Sequence, residues 1–219
     1  MWVLPVLFAI TLHEAAHGWV AWRLGDDTAK RMGRVTFNPL RHVDATGTII
    51  LPAMLLIVHA PFLFGWAKPV PVDFTRLRYP RRDMVWVAAA GPATNLALAV
   101  LSAAAIHVVV TLPEDLQRWL ATNLINSLWI NVILAVFNML PLPPLDGGRV
   151  AVGLLPPRLA MPLARLERAG LFILIAVIFI LPMVGRQLGI DLNIFAWLVG
   201  GPAGYLVELI VTGVGLEAM

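Results

Sequence analysis

Cysteine is absent from the 219-residue sequence, which excludes disulfide staples and thiolate metal ligands. Charge is scarce: 13% of the residues are charged against 59% hydrophobic, a balance that excludes an ordinary soluble globular domain. Long polar stretches are missing as well. The longest polar connections, 25–45, 65–84 and 141–168, are too short to bury cores of their own, so one domain over residues 1–219 is expected. No repeat or low-complexity tract is evident, and the first segment lacks the basic start of a cleaved signal peptide.

What remains is apolar. Hydrophobic segments run roughly over 2–24, 46–64, 85–112, 123–140, 169–189 and 193–214, most of them near the length of about 20 residues that crosses a bilayer as a helix. The expected fold class is an all-α polytopic membrane protein with five to six membrane segments. Basic residues fall in three connections: Lys30, Arg31, Arg34 and Arg41; then Lys68, Arg76, Arg78, Arg81 and Arg82; then Arg149, Arg158, Arg165 and Arg168. Beside membrane segments such clusters orient the chain and are not a nucleic-acid footprint, so all three face the cytoplasm and the N-terminus lies outside. A single crossing by 46–64 would throw one basic connection to the wrong side. Pro52 and Pro61, with His59 between them, therefore favour a segment that dips in and returns, with a plain crossing as the alternative.

The flanks of that segment look extended. RVTFNP (34–39) and WAKPVPVD (66–73) alternate or carry paired prolines, so a small membrane-associated β-hairpin-like element is expected around 34–39 and 66–73. Pro69 and Pro71 cannot donate hydrogen bonds, whereas Lys68, Val70 and Val72 leave an edge that can pair with an added strand.

The unusual polar residues of the first segment lie in TLHEAAHGWVAW, 11–22. His13 and His17 stand four apart, which on a helix puts both imidazoles on one face and suits two ligands of one metal. Glu14 sits beside them, placed to act on water without being a ligand itself. Ionisable groups inside an apolar helix are costly unless partnered, so the trio reads as functional. Two histidines do not close a catalytic site; a third protein ligand should leave one position to water. Asp146 in NMLPLPPLDGGRV, 138–150, stands out. The prolines at 141, 143 and 144 end one helix, Pro143 and Pro144 suit the first turn of the next with Asp146 in that turn, and Gly147 and Gly148 permit close approach. Among weaker candidates, Asn131 and Asn138 share a helix face and suit interhelical bonding or catalysis equally, His107 reads as a packing residue, and His42 and His59 are poor ligand candidates.

HEAAH at 13–17 and NMLPLPPLDGG at 138–148 together resemble the site-2 protease family of intramembrane zinc metalloproteases, and AAAGPATNLALA at 88–99 is similar to the family's G-P-x-x-N helix. The resemblance runs over most of the chain, to the minimal branch without PDZ or CBS domains. It implies one zinc ion held by His13, His17 and Asp146, Glu14 as catalytic base, and Asn138 and Asn95 as groups that bind substrate or order the site. It further implies membrane-protein substrates cut within or near a transmembrane segment, in what is expected to be a prokaryotic cell membrane with the active site on the cytoplasmic side. A divalent-metal carrier or a catalytically silent binder of transmembrane segments is the rival class. A carrier would space its ionisable groups along a path, however, and a silent binder would have lost a ligand or the base.

Overall fold

The computed structural model describes residues 2–57 and 65–216, and among these every regular element is helical. Five helices are long and apolar enough to cross a membrane: α1 (Val3–Arg23), α3 (Pro80–Val109), α4 (Glu114–Asn138), α7 (Glu167–Leu188) and α8 (Ala196–Gly213). Between them lie a shorter apolar helix, α2 (Ala45–Ile57), and two short helices after α4, namely α5 (Asp146–Leu154) and α6 (Pro157–Arg165).

Local chemistry sets the ends of these elements. Pro80 opens α3, and Asp83 in its first turn reaches back to accept the Tyr79 N–H at 2.9 Å. Glu114 and Asp115 start α4, where negative charge suits the exposed N–H groups, and Arg118 bonds Glu114 at 2.8 Å. Beyond α1, Gly25 adopts a φ of 120°, which carries the chain away from the helix axis. At that end Lys30 Nζ sits 3.5 Å above the Trp22 ring and the Arg23 guanidinium 5.5 Å above Trp19.

The centre of the bundle is made of small side chains. On α1 the buried positions include Pro5, Ala9, His13, His17 and Ala21, each four residues from the next; on α3 Gly91, Asn95, Ala99 and Ala103 repeat the spacing. These faces let the two backbones approach closely. Farther along, Ala99 and Ala103 of α3, Leu128 and Val132 of α4 and Ala203 and Val207 of α8 close one apolar cluster. Helix α8 lies along α3 and α4, with Phe195 beside Phe137 near one end and His107 Nε2 2.7 Å from the Val214 carbonyl at the other.

The β-hairpin-like element expected around 34–39 and 66–73 is not formed: no strand occurs among the described residues. The 66–73 segment is extended but joins no ladder, because side chains and isolated backbone bonds occupy its polar groups. Arg34 Nη2 donates to the carbonyls of Lys68 (2.7 Å) and Pro69 (3.4 Å). The Lys68 N–H donates to the His42 carbonyl at 2.9 Å, and the Val70 N–H to Glu14 Oε2 at 2.7 Å. Two of the three donors expected to face an added strand are thus already engaged. Nearby, the Trp66 N–H donates to the Gly47 carbonyl at 3.1 Å and Thr48 Oγ1 to the Trp66 carbonyl at 2.8 Å. The ends of the element containing α2 therefore lie side by side, which a single crossing would not allow; His59 and Pro61 fall outside the described residues.

Candidate metal centre

Helix α1 supplies His13 and His17, one turn apart, with ring centroids 4.6 Å apart and planes at 82°. Asp146 reaches them from the N-terminus of α5. The structure starts that helix at Asp146 itself, with Leu145 as the preceding cap residue and Pro143 and Pro144 ahead of the first turn instead of within it. Two glycines make the approach possible. A side-chain carbon at Gly147 would collide with the Met139 and Leu140 backbone, and one at Gly148 with the backbone of Leu142 and Pro143.

The three ligand atoms converge. His17 Nε2 lies 3.0 Å from His13 Nε2, and Asp146 Oδ2 lies 3.1 Å from His13 Nε2 and 3.3 Å from His17 Nε2. A tetrahedral zinc with bonds of about 2.0–2.1 Å holds its ligand atoms roughly 3.3 Å apart, so the triangle has the right size. The other ring nitrogens are committed elsewhere: His17 Nδ1 is 2.7 Å from the Val87 carbonyl and His13 Nδ1 2.5 Å from Asn95 Oδ1. A carbonyl only accepts, so His17 carries its hydrogen on Nδ1, and with the same arrangement at His13 both Nε2 lone pairs face one space. Two facing lone pairs and a carboxylate repel unless a cation or a proton sits among them.

Two further observations fit a cation. Asp146 Oδ2 is buried and accepts no hydrogen bond. A Cβ on Gly91 would lie 2.5 Å from His13 Cε1, His13 Nε2 and His17 Nε2, so α3 leaves the ligand side open by lacking a side chain there. Burial pushes the Asp146 carboxyl up, and imidazoles protonated toward it hold it well below the usual carboxylate range; a metal cation in place of those protons acts in the same direction.

Around this triangle, Glu14 is half-buried and fixed through Oε2 by the Val70 N–H. Asn95, fully buried, touches His13 directly and continues to Asn131. Asn138 is half-buried and its amide folds back on its own helix, donating to the Leu134 carbonyl at 3.0 Å. His42 bonds the Thr36 carbonyl and His107 the Val214 carbonyl, and neither joins the only three-ligand group found among the described residues. The Val87 carbonyl and Asp26 escape sequence reading. Asp26, with no exposed surface, accepts from the N–H of Thr28 at 3.0 Å and of Asp73 at 2.7 Å, tying the end of α1 to the segment that holds Glu14.

Five apolar helices of membrane-spanning length, together with a His, His, Asp triangle that could hold a metal, define a polytopic membrane metalloprotein of the zinc-hydrolase type. The comparisons agree. The profile described as peptidase family M50 matches residues 108–181. The Bacillus subtilis (strain 168) protein YwhC is 39% identical over 185 residues, 83% of this chain and 80% of its own length. The Mycolicibacterium smegmatis protein Rip2 is 28% identical over 202 residues, 92% of this chain and 74% of its own. Both carry, provisionally, the name zinc metalloprotease. No solved structure matches. The chain belongs to peptidase family M50, the site-2 protease family of zinc metalloproteases.

Proposed function

We propose that the chain is an intramembrane zinc endopeptidase that hydrolyses peptide bonds within or near the transmembrane segments of membrane proteins. The observation that carries this reading is the triangle of His13 Nε2, His17 Nε2 and Asp146 Oδ2, with both Nδ1 atoms bonded away from it. These three residues hold the metal. Zinc, when bound, supplies Lewis acidity toward a scissile carbonyl and toward water.

The remaining chemistry belongs to the protein. Glu14 is the general base: one carboxylate oxygen is fixed by the Val70 N–H, which holds the group in one orientation beside the histidines. It takes the proton of the attacking water and returns it to the leaving amine, so a single group serves both halves of the reaction. Asn95 orders the site through His13, and Asn138 stands at the end of α4 within reach of a substrate backbone once its amide leaves Leu134. From His17 to the end of α1 is six residues, about 9 Å of helix, and the basic connections begin there. Water reaches the site from that basic, cytoplasmic side.

The test is cleavage of a panel of single-span segments in detergent by the zinc-loaded protein and by Glu14→Gln, with metal content measured for both. The expected result is cutting by the parent and loss of at least about 10²-fold in Glu14→Gln, which still holds about one zinc. A Glu14→Gln protein that cuts like the parent removes Glu14 as base. A parent that binds no zinc removes the ligand set.

A further inference from the structure

The two candidate ligand histidines are held in different ways. His17 Nδ1 meets a backbone carbonyl, that of Val87, which no substitution can turn around. His13 Nδ1 meets a side-chain amide, that of Asn95, which presents its oxygen or, turned by 180°, its NH2 group. Only the first orientation leaves His13 Nε2 free of hydrogen and able to take a metal. The orientation of the Asn95 amide therefore decides whether His13 is a ligand.

Asn95 does not fix that orientation alone. One of its terminal atoms lies 2.7 Å from Asn131 Oδ1 and a longer 3.3 Å from the Ala9 carbonyl. Asn131, 1% exposed, has its other terminal atom 2.8 Å from the Ser127 carbonyl, one turn earlier on α4, and 3.2 Å from Ser127 Oγ. A carbonyl accepts only, so the Asn131 atom facing Ser127 is its NH2 group and the atom facing Asn95 is its oxygen. The Asn95 NH2 group must then face Asn131, and its oxygen must face His13. The direction of every bond in the row follows from the backbone carbonyl at its far end.

We infer that Asn131 is a positioning residue of the metal centre: through Asn95 it holds His13 in the tautomer that binds zinc, from a different helix and without touching a ligand. The inference rests on His13, His17 and Asp146 being the zinc ligands. Without Asn131, only the 3.3 Å contact to Ala9 opposes rotation of the Asn95 amide, and the turned amide places hydrogen on His13 Nε2.

The experiment uses the full chain in detergent and reads zinc affinity by competition with a chromophoric chelator, with thermal unfolding of the metal-free proteins alongside. Asn131→Leu keeps the branched shape and the number of side-chain heavy atoms and removes the acceptor; the expected loss is about 10- to 100-fold in zinc affinity, the range for outer-shell partners of metal-bound histidines. Asn95→Asp provides the rescue. A carboxylate accepts from His13 Nδ1 whichever way it turns, so Asn95→Asp combined with Asn131→Leu is expected to bind zinc within about threefold of the parent. Asn95→Asp alone faces the Asn131 oxygen and is expected to bind more weakly than the double variant. A Co(II) spectrum of the double variant matching the parent would show that the ligand set is retained.

If Asn131→Leu binds zinc as the parent does, the relay is wrong. A loss that Asn95→Asp leaves unrescued, with the metal-free fold unaltered, assigns Asn131 to packing and also overturns it. Should Asn131→Leu fail to fold, Asn131→Ala, smaller and equally without the acceptor, takes its place alone and combined with Asn95→Asp, and the same loss and rescue are expected; no loss, or a loss without rescue, overturns the relay. A parent without zinc affinity sinks the ligand set first, and the relay with it.

Discussion

At the scale of single residues, the site depends as much on an absent side chain as on the ligands. Gly91 has no Cβ, and the place where one would stand is 2.5 Å from both His13 Nε2 and His17 Nε2. Gly91→Ala should therefore bind zinc at least about tenfold more weakly, because both rings are pinned through Nδ1 and cannot yield freely to the added carbon. Zinc titration beside a melting curve separates weaker binding from loss of fold, and an unchanged affinity would refute the crowding argument. The histidine pair was legible in the sequence because a spacing of four is a statement about helix geometry, and Asp146 because an incomplete ligand set demands an acid near a helix end. The Val87 carbonyl was not legible, since a backbone group has no signature in residue type. Gly91 alone reads as a packing glycine until the opposite helix is in view.

At the scale of elements, the 66–73 segment shows where pattern reading stops. Alternation and paired prolines describe an extended backbone, and the backbone is extended; whether it pairs in a sheet depends on partners hundreds of atoms away in the chain. Here Arg34, Glu14 and Asp26 take the polar groups that a neighbouring strand would have taken. Asp26 joins the end of α1 to this segment through buried hydrogen bonds, so Asp26→Ala leaves the N–H groups of Thr28 and Asp73 without their acceptor. The expected cost is about 1–3 kcal/mol, with faster amide exchange at Asp73, measured by denaturant unfolding and hydrogen exchange. Exchange at Asp73 as slow as in the parent would mean that another group replaces the carboxylate.

At the scale of the whole molecule, the site gathers parts distant in sequence: α1 near one end of the chain, α3 in the middle and α5 beyond α4. A ligand bound at such a junction stabilises every element that contributes to it. Zinc at about 100 times its dissociation constant should add roughly 2.7 kcal/mol to stability, and chelation should remove it, both visible as a shift in melting temperature. The same shift should be absent in His13→Ala; an equal shift there would place the stabilising metal elsewhere. Five to six membrane segments were legible from segment length and apolarity, where five helices of that kind stand among the described residues, and the order of the motifs was legible from the chain itself. Which helices touch was not, because small residues such as Ala99, Ala103 and Ala203 mark close approach without saying to what.

The buried positions Pro5, Ala9, His13, His17 and Ala21 advance four residues at a time, and four residues are a little more than one turn. Each step drifts by about 40°, so the row winds roughly 160° around the helix between its ends. No single neighbour can cover such a winding row, and α1 is indeed in contact with both α3 and α4. The candidate ligand nitrogens of His13 and His17 ride near the outer radius of α1, about 5–6 Å from its axis, where a rotation of some 10° carries them about 1 Å. A displacement of that size is enough to cost about 10²-fold in rate. The tolerance of this centre is therefore angular, and the packing of α3 and α4 against the winding row acts as a rotational stop on α1.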